Sequence, residues 1–208
     1  MPWRVSLTLL ILACPALPQP PAGAPHHHPP GGMERWLEDS RRAEWQKPEE
    51  VLSALALHPE EVVADIGAGT GYFTRLFAKH SARVYAVDVD SRLLERIASL
   101  SLPNVVTVHA APDAPRLPAA SIDTIFFCNV LHHIPNRPAY YEKLRAALKP
   151  GGRVVILDFH KRPLPVGPPP ARKLAEEEVI QEFEKSGFRL DKKHGFLPYQ
   201  YFLEFRLR

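Results

Sequence analysis

Two cysteines in 208 residues leave little room for sulfur chemistry. Cys14 lies in an N-terminal apolar stretch and Cys128 in a later apolar run, so a mature chain holds no intramolecular disulfide framework. A soft metalloid cargo would need several thiolates, and that class is excluded too. Charge imbalance is small: 26 Lys and Arg against 23 Asp and Glu give a net charge of +3. This excess does not imply a nucleic-acid partner, and no basic patch interleaved with aromatics is present. There are no internal repeats, and no second domain is expected. No apolar run reaches the roughly 20 residues that cross a bilayer.

Apolar continuity is greatest at the start of the chain. Val5 to Ala13 is apolar apart from Ser6 and Thr8 and follows Arg4, the pattern of an export signal over residues 1–16. Ile11-Leu12-Ala13-Cys14 also has the shape of a lipobox, which would lipidate Cys14 and associate the protein with a membrane. The expectation is a cell-envelope or exported protein; the alternative is a start at Met33 and a cytoplasmic one. Residues 17–32 form a linker rich in Pro, His and Gly. Its His26-His27-His28 run reads as a solvated tract, and no metal site is expected.

The informative stretch is Val62-Val63-Ala64-Asp65-Ile66-Gly67-Ala68-Gly69-Thr70-Gly71-Tyr72-Phe73-Thr74. An apolar run reaches an acid, three glycines alternate with small residues, and a helical pattern follows. This predicts a buried strand, a tight turn and a helix N-terminus. Glycine there permits φ > 0 and lets the backbone approach a ligand. A pyrophosphate-binding turn would read Gly-x-Gly-x-x-Gly, and Tyr72 breaks that fingerprint. Asp65 would repel a pyrophosphate but can hold a ligand ammonium by charge-assisted hydrogen bonds. About twenty residues on, Arg83 to Asp88 is a second short strand ending in an acid, where an α/β fold puts a carboxylate on ribose hydroxyls. Capping the next helix is the competing role for Asp88.

Further segments follow in order. Asn104 to His109 reads as a third strand, followed by Ala111-Pro112-Asp113-Ala114. Ser121 to Ile134 contains a fourth strand and its exit, Cys128-Asn129-Val130-Leu131-His132-His133. Leu148-Lys149-Pro150-Gly151-Gly152-Arg153 stops a helix and turns into a fifth strand. The alternation is strand 61–66, helix 71–80, strand 83–88, helix 91–100, strands 104–109 and 123–129, helix 138–148, strand 153–159. It predicts a parallel sheet with helices on both faces. An amphipathic helix from Lys173 to Ser186 and two closing strands complete the domain, residues 33–208.

Taken together, these elements resemble the class I S-adenosylmethionine-dependent methyltransferases from about Lys47 to the C-terminus, and most closely their quinone- and lipid-modifying type (methyltransferase type 11). The resemblance implies a Rossmann-like doubly wound α/β sheet of order 3-2-1-4-5-7-6 with strand 7 antiparallel. It implies S-adenosyl-L-methionine as cofactor. The residues expected to bind it are Asp65, Gly67, Ala68, Gly69, Gly71, Tyr72, Asp88, Val89, Asp113, Ala114 and Asn129, with Asp113 at the adenine. The sequence departs from the family pattern at Ile122, where Phe is usual before the acid. The Pro-Pro-aromatic motif of amino-methylating DNA enzymes is missing after Asn129, so no nucleic-acid partner is expected.

The expected activity is methyl transfer by direct in-line displacement to a small, lipophilic molecule. A non-catalytic envelope-associated binding module is the alternative. A base is required only for a hydroxyl, phenol or protonated amine acceptor. His133, after the fourth strand, is the first candidate and His160 the second, with His132 expected to face elsewhere. Trp45 is expected in the core, and Tyr199 and Tyr201 as ordinary strand aromatics. Arg162 to Arg172, with five prolines, is expected to be an irregular strap over the acceptor pocket.

Overall fold

Short runs of β-branched and aromatic residues pair into one seven-stranded sheet in the computed structural model, which describes residues 37–208. The expected signal, lipobox and linker lie outside the described residues. The strands are β1 (Val62–Ile66), β2 (Arg83–Asp88), β3 (Val105–His109), β4 (Ile122–Cys128), β5 (Leu148–Phe159), β6 (Phe188–His194) and β7 (Gln200–Leu207). Their order is β3-β2-β1-β4-β5-β7-β6. The first five are parallel, and β7 runs antiparallel to both β5 and β6.

The helices are α1 (Arg42–Gln46), α2 (Pro48–Leu55), α3 (Tyr72–Phe77), α4 (Ser91–Ser99), α5 (Arg137–Ala147) and α6 (Glu176–Lys185). Because strand side chains alternate, β4 feeds two cores. Ile125 and Phe127 join Tyr141 and Leu144 of α5 and Phe183 of α6 on one face. Phe126 meets Val51 and Leu55 of α2 and Phe73 and Phe77 of α3 on the other. Both layers are therefore closed by helices, as a parallel sheet requires.

Two boundaries differ from the sequence expectation. The fifth strand begins at Leu148 instead of 153, because Leu148 pairs with Ile122 across an irregular register and keeps the Lys-Pro-Gly-Gly turn attached to the sheet. The last helix begins at Glu176 instead of Lys173, because Lys173 closes a one-turn 3₁₀ helix over Pro170–Arg172.

At the rim where β4 and the core of β5 begin, a buried ionic network fastens the layers. Arg153 donates to Thr124 Oγ1 at 2.9 Å, to Glu204 at 3.0 Å and to the Leu55 carbonyl at 2.7 Å. Glu204 is completely buried and also meets His194 Nε2 at 2.7 Å. Every charge in the group has a partner, which is the condition for burying it. This network stands at the opposite end of the strands from the candidate site.

Candidate cofactor and acceptor site

The carboxyl ends of β1, β2, β4 and β5 form the other rim. Between β1 and α3 the chain turns through Gly67, Gly69 and Gly71 at φ of +68°, +57° and +84°. The N–H groups of Gly67 and Ala68 both donate to the Val87 carbonyl, at 2.8 and 3.0 Å, pinning the turn to β2. The reason for glycine differs from the expected ligand approach at one position. A Cβ on Gly67 would stand 2.3 Å from Val130 Cγ2, so this glycine makes room for the exit of β4. A Cβ on Gly69 would meet Leu37 at 3.3 Å, a residue from the segment before α1.

Asp65 is buried at the end of β1, and its Oδ2 accepts the Thr74 hydroxyl at 2.7 Å. Burial raises its pKa to about 6; the Thr74 hydrogen bond and the Arg42 charge hold it from rising further. Asp88 accepts from Gly69 N–H through one oxygen and from Asp90 N–H through the other, both at 2.9 Å. The cap of α4 is Asp90, which accepts from Arg92 N–H. Asp88 is therefore free of that duty, and each of its oxygens accepts only one of these bonds. Val89 beside it is 55% exposed.

Ala111 and Ala114 exchange two backbone hydrogen bonds at 3.0 Å, making a tight turn. Asp113 sits at its tip, exposed, with its carboxylate 3.7 Å from Lys143 of α5. Asn129 ends β4 at φ +60°, a conformation uncommon outside glycine. Its Oδ1 accepts from Gln200 Nε2 at 2.8 Å, while its buried Nδ2 has no partner.

Sequence reasoning missed the residues that cross this rim. Glu38 pairs with Arg75 of α3 at 3.0 Å. The Arg42 guanidinium lies 4.2 Å from the centre of the Tyr72 ring and donates to the Leu37 carbonyl at 2.9 Å. Gln46 Nε2 reaches Cys128 Sγ at 3.0 Å and Gln200 Oε1 at 3.2 Å. Residues 37–46 thus lie against the glycine turn and the ends of β4 and β7. Arg41-Arg42 reads in sequence as a solvated helix face, and nothing in its spacing marks Arg42 as buried. Trp45 packs at this rim, 5.6 Å from Phe159 and 6.4 Å from Tyr199.

The two histidines that follow β4 have different surroundings. His132, expected to face elsewhere, is the engaged one: in a one-turn 3₁₀ helix (Leu131–His133), its Nδ1 lies 2.9 and 3.1 Å from the two oxygens of Asp158. His133 is exposed, its ring 4.2 Å from that of His132, and burial followed by the His132 charge holds its pKa below the imidazole range. His160 follows β5, half-buried and 4.0 Å from Glu176; burial and then Arg162 lower its pKa. Tyr201 is buried in β7 opposite Asp158, with a hydroxyl that has no partner. Among the described residues no group of three or more His, Cys, Asp or Glu is placed to hold a metal ion.

Two buried carboxylates, on adjacent parallel strands and flanking a pinned turn, suit an adenosine ligand bearing a positive charge at its other end. Asn129 Nδ2 adds an unused buried donor nearby. The profile of the family described as "Methyltransferase domain" matches residues 64–154. A 2-methyl-6-phytyl-1,4-hydroquinone methyltransferase of Synechocystis sp. is 29% identical over 109 residues, 51% of this chain and 34% of that protein. A demethylmenaquinone methyltransferase of Tropheryma whipplei is 31% identical over 119 residues, 56% of this chain and 48% of that one. A crystal structure of a SAM-dependent methyltransferase from Aquifex aeolicus superposes with a TM-score of 0.79 at 26% identity, covering 85% of this chain and 97% of that chain. The fold is the Rossmann-like methyltransferase fold. Residues 64–154 match that methyltransferase family, and the chain is similar in sequence and fold to S-adenosylmethionine-dependent methyltransferases. It spans between a third and a half of the length of these two curated relatives.

Proposed function

We propose that this protein transfers the methyl group of S-adenosylmethionine to a small, apolar acceptor by in-line displacement. The observation that carries the reading is the pair Asp65 and Asp88 on either side of the glycine turn, both buried and both at strand ends. Asp65 would receive the ammonium of the methionine part and Asp88 the ribose hydroxyls, with Gly69 and Ala68 between them. Val89 offers an apolar surface on the adenine side, and Asp113 would meet the base. Asn129, Tyr72 and the segment 37–46 would enclose the methionine end. The cofactor, when bound, supplies an electrophilic methyl carbon on a sulfonium. The protein's part is then to bind, orient and exclude water.

An apolar acceptor agrees with the two quinol-modifying relatives and with the aromatic rim of Trp45, Phe159 and Tyr199. No observation favours a non-catalytic binding module. Calorimetry with S-adenosylmethionine tests the reading. Wild type should bind saturably, Gly69→Arg should not, and Asp88→Ala should lose about 1.5–3 kcal/mol of affinity. No binding by wild type would reject the reading, and unchanged affinity of the Asp88 variant would reject that residue's role. The location we propose with it is the cell envelope, on the apolar stretch Val5 to Ala13; fractionation with and without residues 1–32 decides it.

A further inference from the structure

We propose that β3 pairs with the β3 of a second copy of this chain, antiparallel about a twofold axis at Thr107, so that two sheets join into one. Such pairing is independent of what the chain methylates.

β3 is one edge of the sheet, and parallel pairing commits every second residue of it to β2. The Asn104 carbonyl accepts from the Val84 N–H, and the Ala110 N–H donates to the Asp88 carbonyl, both at 2.9 Å. The alternation between these bonds turns the backbone groups of Val106 and Val108 toward β2 as well. Those of Val105, Thr107 and His109 point outward. At the two ends the chain satisfies itself: Val105 N–H donates to the Leu102 carbonyl at 3.2 Å, and the His109 carbonyl accepts from Arg116 at 3.3 Å. The Val105 carbonyl, both Thr107 groups and the His109 N–H have no partner among the described residues.

The groups that remain complement themselves. With Thr107 opposite the second copy's Thr107, each Thr107 N–H donates to the other's Thr107 carbonyl, and each His109 N–H to the other's Val105 carbonyl. No donor or acceptor is left over. Moving the register by one residue faces inward groups against outward ones, and moving it by two leaves half of the free groups unmatched. The side chains agree with the same register. Val106, 41% exposed, shares a face with Val108 and would lie opposite the second copy's Val108, while threonine meets threonine on the other face.

The two edges of the sheet are built differently. β6, the far edge, carries exposed Arg189, Lys192 and Lys193, and its register shifts between Leu190 and Lys192. Lysines and a bulge are devices that keep an edge strand from pairing. β3 keeps a regular register, and Val105–His109 contains no Lys, Arg, Asp, Glu, Pro or Gly. A self-matching edge selects its own copy, and a twofold pairing closes at two chains. The strand is short and the joint small, so the dimer should be half formed at roughly 10–100 µM.

The test is sedimentation equilibrium of the full chain from about 1 to about 300 µM, where the mass should rise from one chain toward two. Over the same range, amide hydrogen exchange followed by NMR should slow at Thr107 and His109 by at least about fivefold. Thr107→Pro deletes an outward N–H while its neighbours keep the bonds to β2. Val106→Lys sets a charge against the second copy's Val108. Each should weaken association by at least about tenfold, whereas Lys192→Ala on the far edge should associate as wild type does. Wild type that stays monomeric at about 300 µM overturns the proposal, as does growth past two chains. So does a dimer in which the Thr107 and His109 amides exchange unchanged, or a folded Val106→Lys that associates like wild type. If Thr107→Pro does not fold, Val106→Lys and the wild-type amides decide.

Discussion

Replacing Asp65 by Asn should make the empty protein more stable and a poorer binder of its cofactor. Burial raises the Asp65 pKa to about 6 from an ordinary 3.8. At 1.36 kcal/mol per pH unit, holding it ionised above pH 6 costs the fold about 3 kcal/mol, already net of the Arg42 attraction. The folded pKa lies above the unfolded one, so the native state binds this proton more tightly. The penalty is absent below about pH 4, grows as pH rises, and is complete above about pH 6. Asparagine removes the charge and keeps an oxygen for the Thr74 hydroxyl. Thermal unfolding should then show Asp65→Asn melting about 6–12 °C higher than wild type at pH 8, with roughly half that gain near pH 5. Calorimetry at pH 8 should show the same variant losing at least tenfold in S-adenosylmethionine affinity, because the ammonium loses an ionic partner. Wild-type affinity should itself decline as pH falls through about 6. A lower melting temperature at pH 8, an equal gain at both pH values, or affinity within twofold of wild type would refute the reasoning.

Other substitutions separate packing from chemistry. Gly67→Ala forces a Cβ to within 2.3 Å of Val130 and should cost about 2–4 kcal/mol in urea unfolding, partly recovered by adding Val130→Ala. Gly151→Ala, at φ +78° with open space around it, should cost only about 1 kcal/mol, the strain of the backbone alone. Arg153→Met leaves Glu204 buried without its main partner and should lose about 3–5 kcal/mol by the same measurement, with Glu204→Leu in the same chain restoring much of it.

Much of the fold was legible along the chain because its signals are local. The apolar runs, the alternating glycines and the acids at two strand ends are read within a few residues. They located β1, β2 and the turn between them, and with the family resemblance they gave the sheet order. The boundaries that moved did so for non-local reasons: Leu148 joined the strand because Ile122 was there to pair with it.

At the site the division is sharper. Sequence sufficed to put Asp65 and Asp88 at the ends of two neighbouring strands, because strand period and spacing are local. It could not separate His132 from His133, because neighbours in one helical turn differ only in direction, and the partner that fixes the direction is Asp158, 26 residues later. Nor could it find Gln46 and Gln200, which touch across 154 residues of chain. Side-chain period and turn chemistry are properties of a segment and survive in one dimension. Convergence of polar atoms at a rim depends on how whole strands are ordered, and only the folded sheet decides that.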